Sequence, residues 1–242
     1  MPETDSYWRT DRPTEGFYSD ALPAAPDRPV RFFLPTGYEP RYPYPLLVLF
    51  HPHGSTEERV LRMLPKASRR NFLGVSVRGT ERVERADGKP GFGWSADPDE
   101  LAADVVRAVE LTRRSYHVHS ERIYLVGVQE GAAAAYRAAF ALGSKVAGVA
   151  ALNGATPPTA GGPLFRLDRV RDLRVLIAHG VDNRHVPATA AKADNARFYA
   201  AGSDVTLAHY PTDHRVHAHM LRDLNRWVIG HVTAEQRVLV RG

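Results

Sequence analysis

With 242 residues and a hydrophobic share of 43%, the chain can bury one α/β domain and is short for two. It has no cysteine, which excludes disulfides, thiolate metal sites and a cysteine nucleophile. The net charge of +5 comes mostly from arginines mixed with acids, without interleaved aromatics, so solvated faces are expected and a nucleic-acid partner is not.

Residues 1–28 are rich in Pro, Asp and Ser, with Tyr7, Trp8, Phe17 and Tyr18 as anchors, and read as an extended arm on the domain surface. They lack the apolar core of a signal peptide, and no run reaches bilayer length. A cytoplasmic protein without a membrane partner is the expectation. Residues 30–34 read as a strand, and the apolar run 46–50 as a strand covered on both faces. A helix is expected over 57–70 with Thr56 as its cap, then a strand over 72–77. Residues 79–97 form a Gly/Pro-rich loop. Asp97, Pro98 and the recurrence of Leu101, Val105, Ala108, Val109 and Thr112 point to a capped amphipathic helix.

A buried strand over 122–126 runs into the turn Gly127-Val128-Gln129-Glu130-Gly131, followed by an alanine-rich helix over 132–142. Strands are expected over 146–152, 173–178 and 205–210, and helices over 188–201 and 217–231. Residues 153–171 form a Pro/Gly loop with at most one helical turn, which leaves no room for a large lid. From residue 45 onward strands alternate with helices, so the fold class is α/β with a mostly parallel sheet covered on both faces. The division is an arm (1–28), one domain (29–232) and a short tail (233–242).

In open α/β sheets, ligand and catalytic groups gather beyond the carboxyl ends of the strands. Polar residues stand there in His51-Pro52-His53-Gly54, at Gln129, in His179-Gly180-Val181-Asp182-Asn183 and in Thr212-Asp213-His214. Strand, glycine turn and small-residue helix are the setting of a nucleophile elbow, Gly-x-Ser-x-Gly. Here Gln129 holds the nucleophile's place. A primary amide has no hydroxyl, thiol or carboxylate with which to form an acyl-enzyme.

On these residues the chain resembles the α/β-hydrolase superfamily over about residues 30–232. It is most similar to the small lidless esterases of the polyhydroxybutyrate-depolymerase, feruloyl-esterase and phospholipase/carboxylesterase kind. The resemblance implies an α/β-hydrolase fold without a cap domain and without a cofactor. It makes His51 to Gly54 the oxyanion turn, with the backbone N–H groups of His53 and Glu130 facing a substrate oxyanion. It puts His214 in the catalytic histidine's place and Asn183 in the acid's, with Asp182 next door.

Other readings stand beside these. Glu130 as a carboxylate nucleophile is weaker than Glu130 as a charge favouring a helix start. Ser95 sits in a loop with no strand feeding it, which suits a turn or cap. Trp94 suits an aromatic pocket wall or plain packing. His51, His53, His214, His217 and His219 invite a metal, but no acids complete a ligand set, and none is expected. His51 is more simply a structural histidine. The leading expectation is an esterase-like pseudoenzyme with a degenerate triad and a pocket for a small ester, acyl or carboxylate ligand. The alternatives are an active ester hydrolase or other proton-transfer enzyme using His214 and water, and a structural or interaction protein. A homodimer is the default assembly.

Overall fold

The computed structural model describes residues 13–22, 25–158 and 167–241. Its strands are β1 (Gly16–Leu22), β2 (Ala25–Leu34), β3 (Tyr44–Phe50), β4 (Leu73–Val77), β5 (Glu81–Glu84), β6 (Pro90–Gly93), β7 (Val118–Val128), β8 (Gly148–Leu152), β9 (Arg174–Gly180) and β10 (Asp204–Tyr210). Its helices are α1 (Glu57–Leu61), α2 (Leu64–Ala67), α3 (Pro98–Arg113), α4 (Gly131–Leu142), α5 (Leu167–Val170), α6 (Ala188–Ala200) and α7 (Ala218–Arg241). Eight strands form one sheet in the order β1-β2-β4-β3-β7-β8-β9-β10, and β5 pairs with β6 as a separate hairpin. β1 and β4 both run antiparallel to β2; the remaining neighbours in the large sheet are parallel.

Side chains alternate across a strand, so a central strand feeds two cores. Leu46, Val48 and Phe50 join Leu125, Val105 and Tyr136 under α3 and α4. Leu47 and Leu49 join Val126, Leu61 and Leu224 under α1 and α7. Leu46 and Leu47 are both fully buried, and truncating either to alanine would cost roughly 2–5 kcal/mol. The sheet is thus covered on both faces, and no cap domain stands over it among the described residues.

Four local expectations are corrected. The segment expected to lie on the surface as an arm instead supplies β1 and the start of β2. Tyr18 stacks on Phe32 with ring centroids 4.5 Å apart, while Phe17 packs on Phe33, so the aromatics lock an edge strand. Tyr7 and Trp8 lie outside the described residues. The helix expected over 57–70 is two short helices, because Pro65 has no N–H to continue the ladder. Thr56 caps the first, accepting from the Arg59 N–H at 3.4 Å. The loop over 79–97 contains the β5–β6 hairpin, and the expected tail continues α7 to Arg241.

A chain of charges ties the elements behind the second strand-end turn. Arg28 holds the buried Asp104 of α3 at 2.6 Å and donates to the Arg78 carbonyl at 2.7 Å. Arg78 in turn forks onto the buried Glu57 of α1 at 2.9 and 3.1 Å, with its guanidinium over the Phe92 ring.

Candidate active site

β7 ends in a turn that only small residues permit. A Cβ on Gly127 would lie 2.3 Å from the Ala132 Cα, and one on Gly131 would lie 2.4 Å from the Phe50 carbonyl oxygen. Between them Gln129 has φ 52°, the left-handed region that costs a non-glycine residue about 1–2 kcal/mol. Its N–H donates to the Leu152 carbonyl at 2.8 Å, and its own carbonyl accepts from the Ala132 N–H at 3.0 Å. Gly154 closes the approach, since a Cβ there would lie 2.2 Å from the Gln129 carbonyl oxygen. The glutamine stands at the tip of the elbow.

The Gln129 side-chain amide donates to the backbone carbonyl of His214 at 2.8 Å. The His214 imidazole, partly exposed, packs edge-on against His185 with centroids 4.8 Å apart. Its Nδ1 is 3.9 Å from a carboxylate oxygen of Asp213, beyond hydrogen-bond range. Asn183 is buried and turned elsewhere. Its Nδ2 donates to the Asn153 carbonyl at 3.2 Å, and its Oδ1 accepts the N–H groups of His185 and Val186. The exposed Asp182 is held through its backbone N–H, which donates to the Thr212 carbonyl. The elbow and the histidine loop are therefore brought together, while neither Asn183 nor Asp182 hydrogen-bonds the imidazole.

Asn153 is the residue that sequence reasoning missed. It directly follows β8, with φ 59°, and is buried. Its Nδ2 donates to the Arg215 carbonyl at 2.7 Å, and its Oδ1 accepts the Gly180 N–H at 2.7 Å. One side chain thus joins the histidine loop to the end of β9. The Asn-Gly pair at 153–154, a turn signal directly after a strand, was the available clue.

The turn His51-Pro52-His53-Gly54 is braced from behind. The buried His51 donates from Nδ1 to the Pro52 carbonyl at 2.9 Å and accepts the Gly79 N–H on Nε2 at 3.1 Å. That pattern requires the neutral ring, and burial pushes its pKa down to about 4. Trp94 donates its indole N–H to the His51 carbonyl at 2.8 Å and lies against that imidazole, a bracing role. The hairpin is stitched on by Gly54 N–H to Phe92 O at 2.9 Å and Phe92 N–H to Ser55 O at 3.0 Å. Among the described residues, the N–H groups of His53 and Glu130 have no acceptor.

The remaining candidates are structural. Glu130 is exposed and its side chain caps nothing. Ser95 accepts the Asp97 N–H in a turn. His217 and His219 pack on one another, and the described residues contain no cluster of three or more groups able to hold a metal.

An open depression of about 560 Å³ lies over the elbow, lined by His53, Ser55, Arg59, Arg85, Asp87 and Gln129 among others. Its lining does not include His214, Asn183 or Trp94. Arg59 and Arg85 were not singled out in the sequence, since arginine there looks like any solvated charge. A larger groove, about 870 Å³, sits at the opposite ends of β8 and β9 beside Arg169, Arg171 and Arg174.

A mostly parallel sheet flanked on both faces, with a glycine-cornered elbow facing an oxyanion-type turn and a histidine loop, defines an α/β-hydrolase fold with no cap domain among the described residues. The chain belongs to the phospholipase/carboxylesterase family, which residues 99–231 match over more than half of its length. The fold is similar to a carboxylesterase from Mesorhizobium loti, with TM-score 0.66, 20% identity, and 88% of this chain and 99% of that one covered. The Bacillus cereus carboxylesterase superposes with TM-score 0.62 at 20% identity, covering 83% of this chain and 93% of that one. Zea mays acyl-protein thioesterase 2 gives 0.61 at 17% identity, covering 83% and 97%. No curated protein sequence matches the chain. No helix among the described residues is long and apolar enough to cross a membrane.

Proposed function

We propose that this chain uses the esterase framework to bind a small ester, acyl or carboxylate compound at the elbow, without an acyl-enzyme step. The observation that carries the reading is the Gln129 amide, placed where a nucleophile would stand and committed to the His214 carbonyl. In serine-protease terms, removing the nucleophile costs about 10⁶ in turnover and leaves roughly 10³ to 10⁴ over water from the donors and binding alone. The unclaimed N–H groups of His53 and Glu130 would then act as a receptor for the ligand's oxygen.

Family membership and the carboxylesterase-type relatives favour a second reading, hydrolysis of carboxylic esters with His214 as a base on water. The exposed imidazole is accessible for that role, which contributes about 10² to 10⁴ in rate. It lacks an oriented carboxylate, and the elbow depression does not reach it, which weighs against efficient turnover.

Steady-state and pre-steady-state assays with p-nitrophenyl butyrate separate the two. The binding reading expects no burst, turnover near background, and thermal stabilisation of the protein by short-chain acyl compounds. Turnover that His214→Ala abolishes would replace it with the hydrolytic reading.

A further inference from the structure

We infer that the elbow depression selects an ionised carboxylic acid over its neutral ester, through Arg59 and Arg85 acting with the open N–H of His53. The inference rests on the proposal that the elbow is a ligand site, and it names the chemistry of that ligand.

The neighbouring Arg31, Arg62 and Arg78 each have an acidic partner. Arg31 and Arg62 share Glu58, and Arg78 takes Glu57. Arg59 alone in this group has an exposed guanidinium with no acidic partner among the described residues, and it faces the depression. Arg85 arrives from the other side on the hairpin. Its Cγ lies 4.0 Å from where a Cβ on Gly54 would stand, so it lies over the oxyanion turn. The hairpin cannot swing away cheaply, because it bonds to the turn on both sides of Phe92, and Gly91 sits against the Gly54 backbone.

Asp87 is the one acid in the lining, and it pairs with Arg85 at 2.9 Å. Two guanidiniums against one carboxylate leave a single positive excess, which suits a monoanion and opposes a dianion. A fork of guanidinium N–H groups matches the two oxygens of a carboxylate. An oxyanion turn normally meets negative charge only while a nucleophile is attacking. Where the elbow side chain cannot generate that charge, a ligand that carries it permanently is the species that satisfies those donors. The Gln129 amide keeps a second N–H for the same purpose.

Isothermal titration at low ionic strength with sodium butyrate and with methyl butyrate tests this. The wild-type protein is expected to bind butyrate about tenfold more tightly than the ester, with the preference shrinking as salt is raised. Arg59→Gln should weaken butyrate about tenfold and leave the ester unchanged, and Gln129→Trp should abolish both. Equal affinity for acid and ester, both lost in Gln129→Trp, would overturn the charge selection while the ligand site stands. A butyrate preference untouched by Arg59→Gln and Arg85→Gln would overturn the arginines' role. No binding of either probe would remove both the inference and the site beneath it.

Discussion

The elbow side chain of Gln129 grips His214 by its main chain: amide nitrogen and backbone carbonyl are 2.8 Å apart, and the imidazole stands outside the bond. In a serine triad the elbow residue addresses the ring itself. Here the contact positions a loop. It also offsets part of the backbone strain at φ 52°, since a hydrogen bond of this kind contributes about 1 kcal/mol net.

Gln129→Ala should therefore lose the bond and keep the strain, whereas Gln129→Gly loses the bond and relieves it. The glycine variant is expected to be the more stable of the two by about 1 kcal/mol. Urea denaturation midpoints measure the difference. An alanine variant as stable as the glycine one would mean that the turn relaxes out of the left-handed region.

Gln129→Ser introduces a hydroxyl without completing a triad. His214 packs on His185, and Asn183 is spent on Asn153, His185 and Val186. Esterase activity on p-nitrophenyl butyrate should stay at least about 10³-fold below that of a complete triad, by analogy with a triad whose acid has been neutralised. Rates within tenfold of a working carboxylesterase would show that the imidazole reorients readily.

Asn153 should be among the most sensitive polar positions. Asn153→Ala removes two hydrogen bonds at 2.7 Å, one of them fully buried, leaving the Gly180 N–H without its acceptor and the Arg215 carbonyl with only a long bond from the Thr212 hydroxyl at 3.4 Å. A loss of about 2–4 kcal/mol is expected, with Asn153→Gly somewhat milder because it suits φ 59°. Chemical denaturation reads the loss. Proteolysis within residues 211–217 should rise in parallel.

Acid should weaken the fold through His51. Burial holds its folded-state pKa down at about 4, against about 6.5 for an unfolded histidine. Between those values the unfolded chain takes up a proton that the folded chain refuses, so stability falls as pH drops from about 6.5 to about 4. Below that range this group contributes no further loss. The full effect is on the order of 3 kcal/mol, and the lowered pKa of buried His179 acts in the same direction. Denaturation midpoints at pH 7.5 and 4.5 should differ less in His51→Gln than in the wild type; an unchanged difference would assign the acid sensitivity elsewhere.

The elements that carried the most redundant signals were legible from residues alone. Asp97 and Pro98 marked the start of α3, and the glycines around Gln129 marked the elbow, because steric exclusion leaves few other residues at such corners. β1 was not legible: an antiparallel edge strand needs apolar residues on one face only, and Pro, Asp and Ser around it read as loop. The β5–β6 hairpin carries Glu81, Arg82 and Glu84 on exposed positions and only Val83 and Phe92 as large apolar residues, so no alternating apolar run announced it. Pro65 is the residue that announces the break between α1 and α2. Which partners Asn183 would choose was beyond reach, since the local N–H groups of His185 and Val186 and the distant Asn153 carbonyl claim the amide that an imidazole would need.

Two carboxylates sunk beneath the turn of His51 to Gly54, Glu57 and Asp104, are shackled to one another through Arg78 and Arg28. α1 and α3 are thereby clamped across the sheet from behind, by forces that take no part in any reaction in front. Whatever side chain occupies the elbow, this rear anchorage keeps the cradle open and in shape. The chemistry at the front of the molecule asks nothing of these foundations.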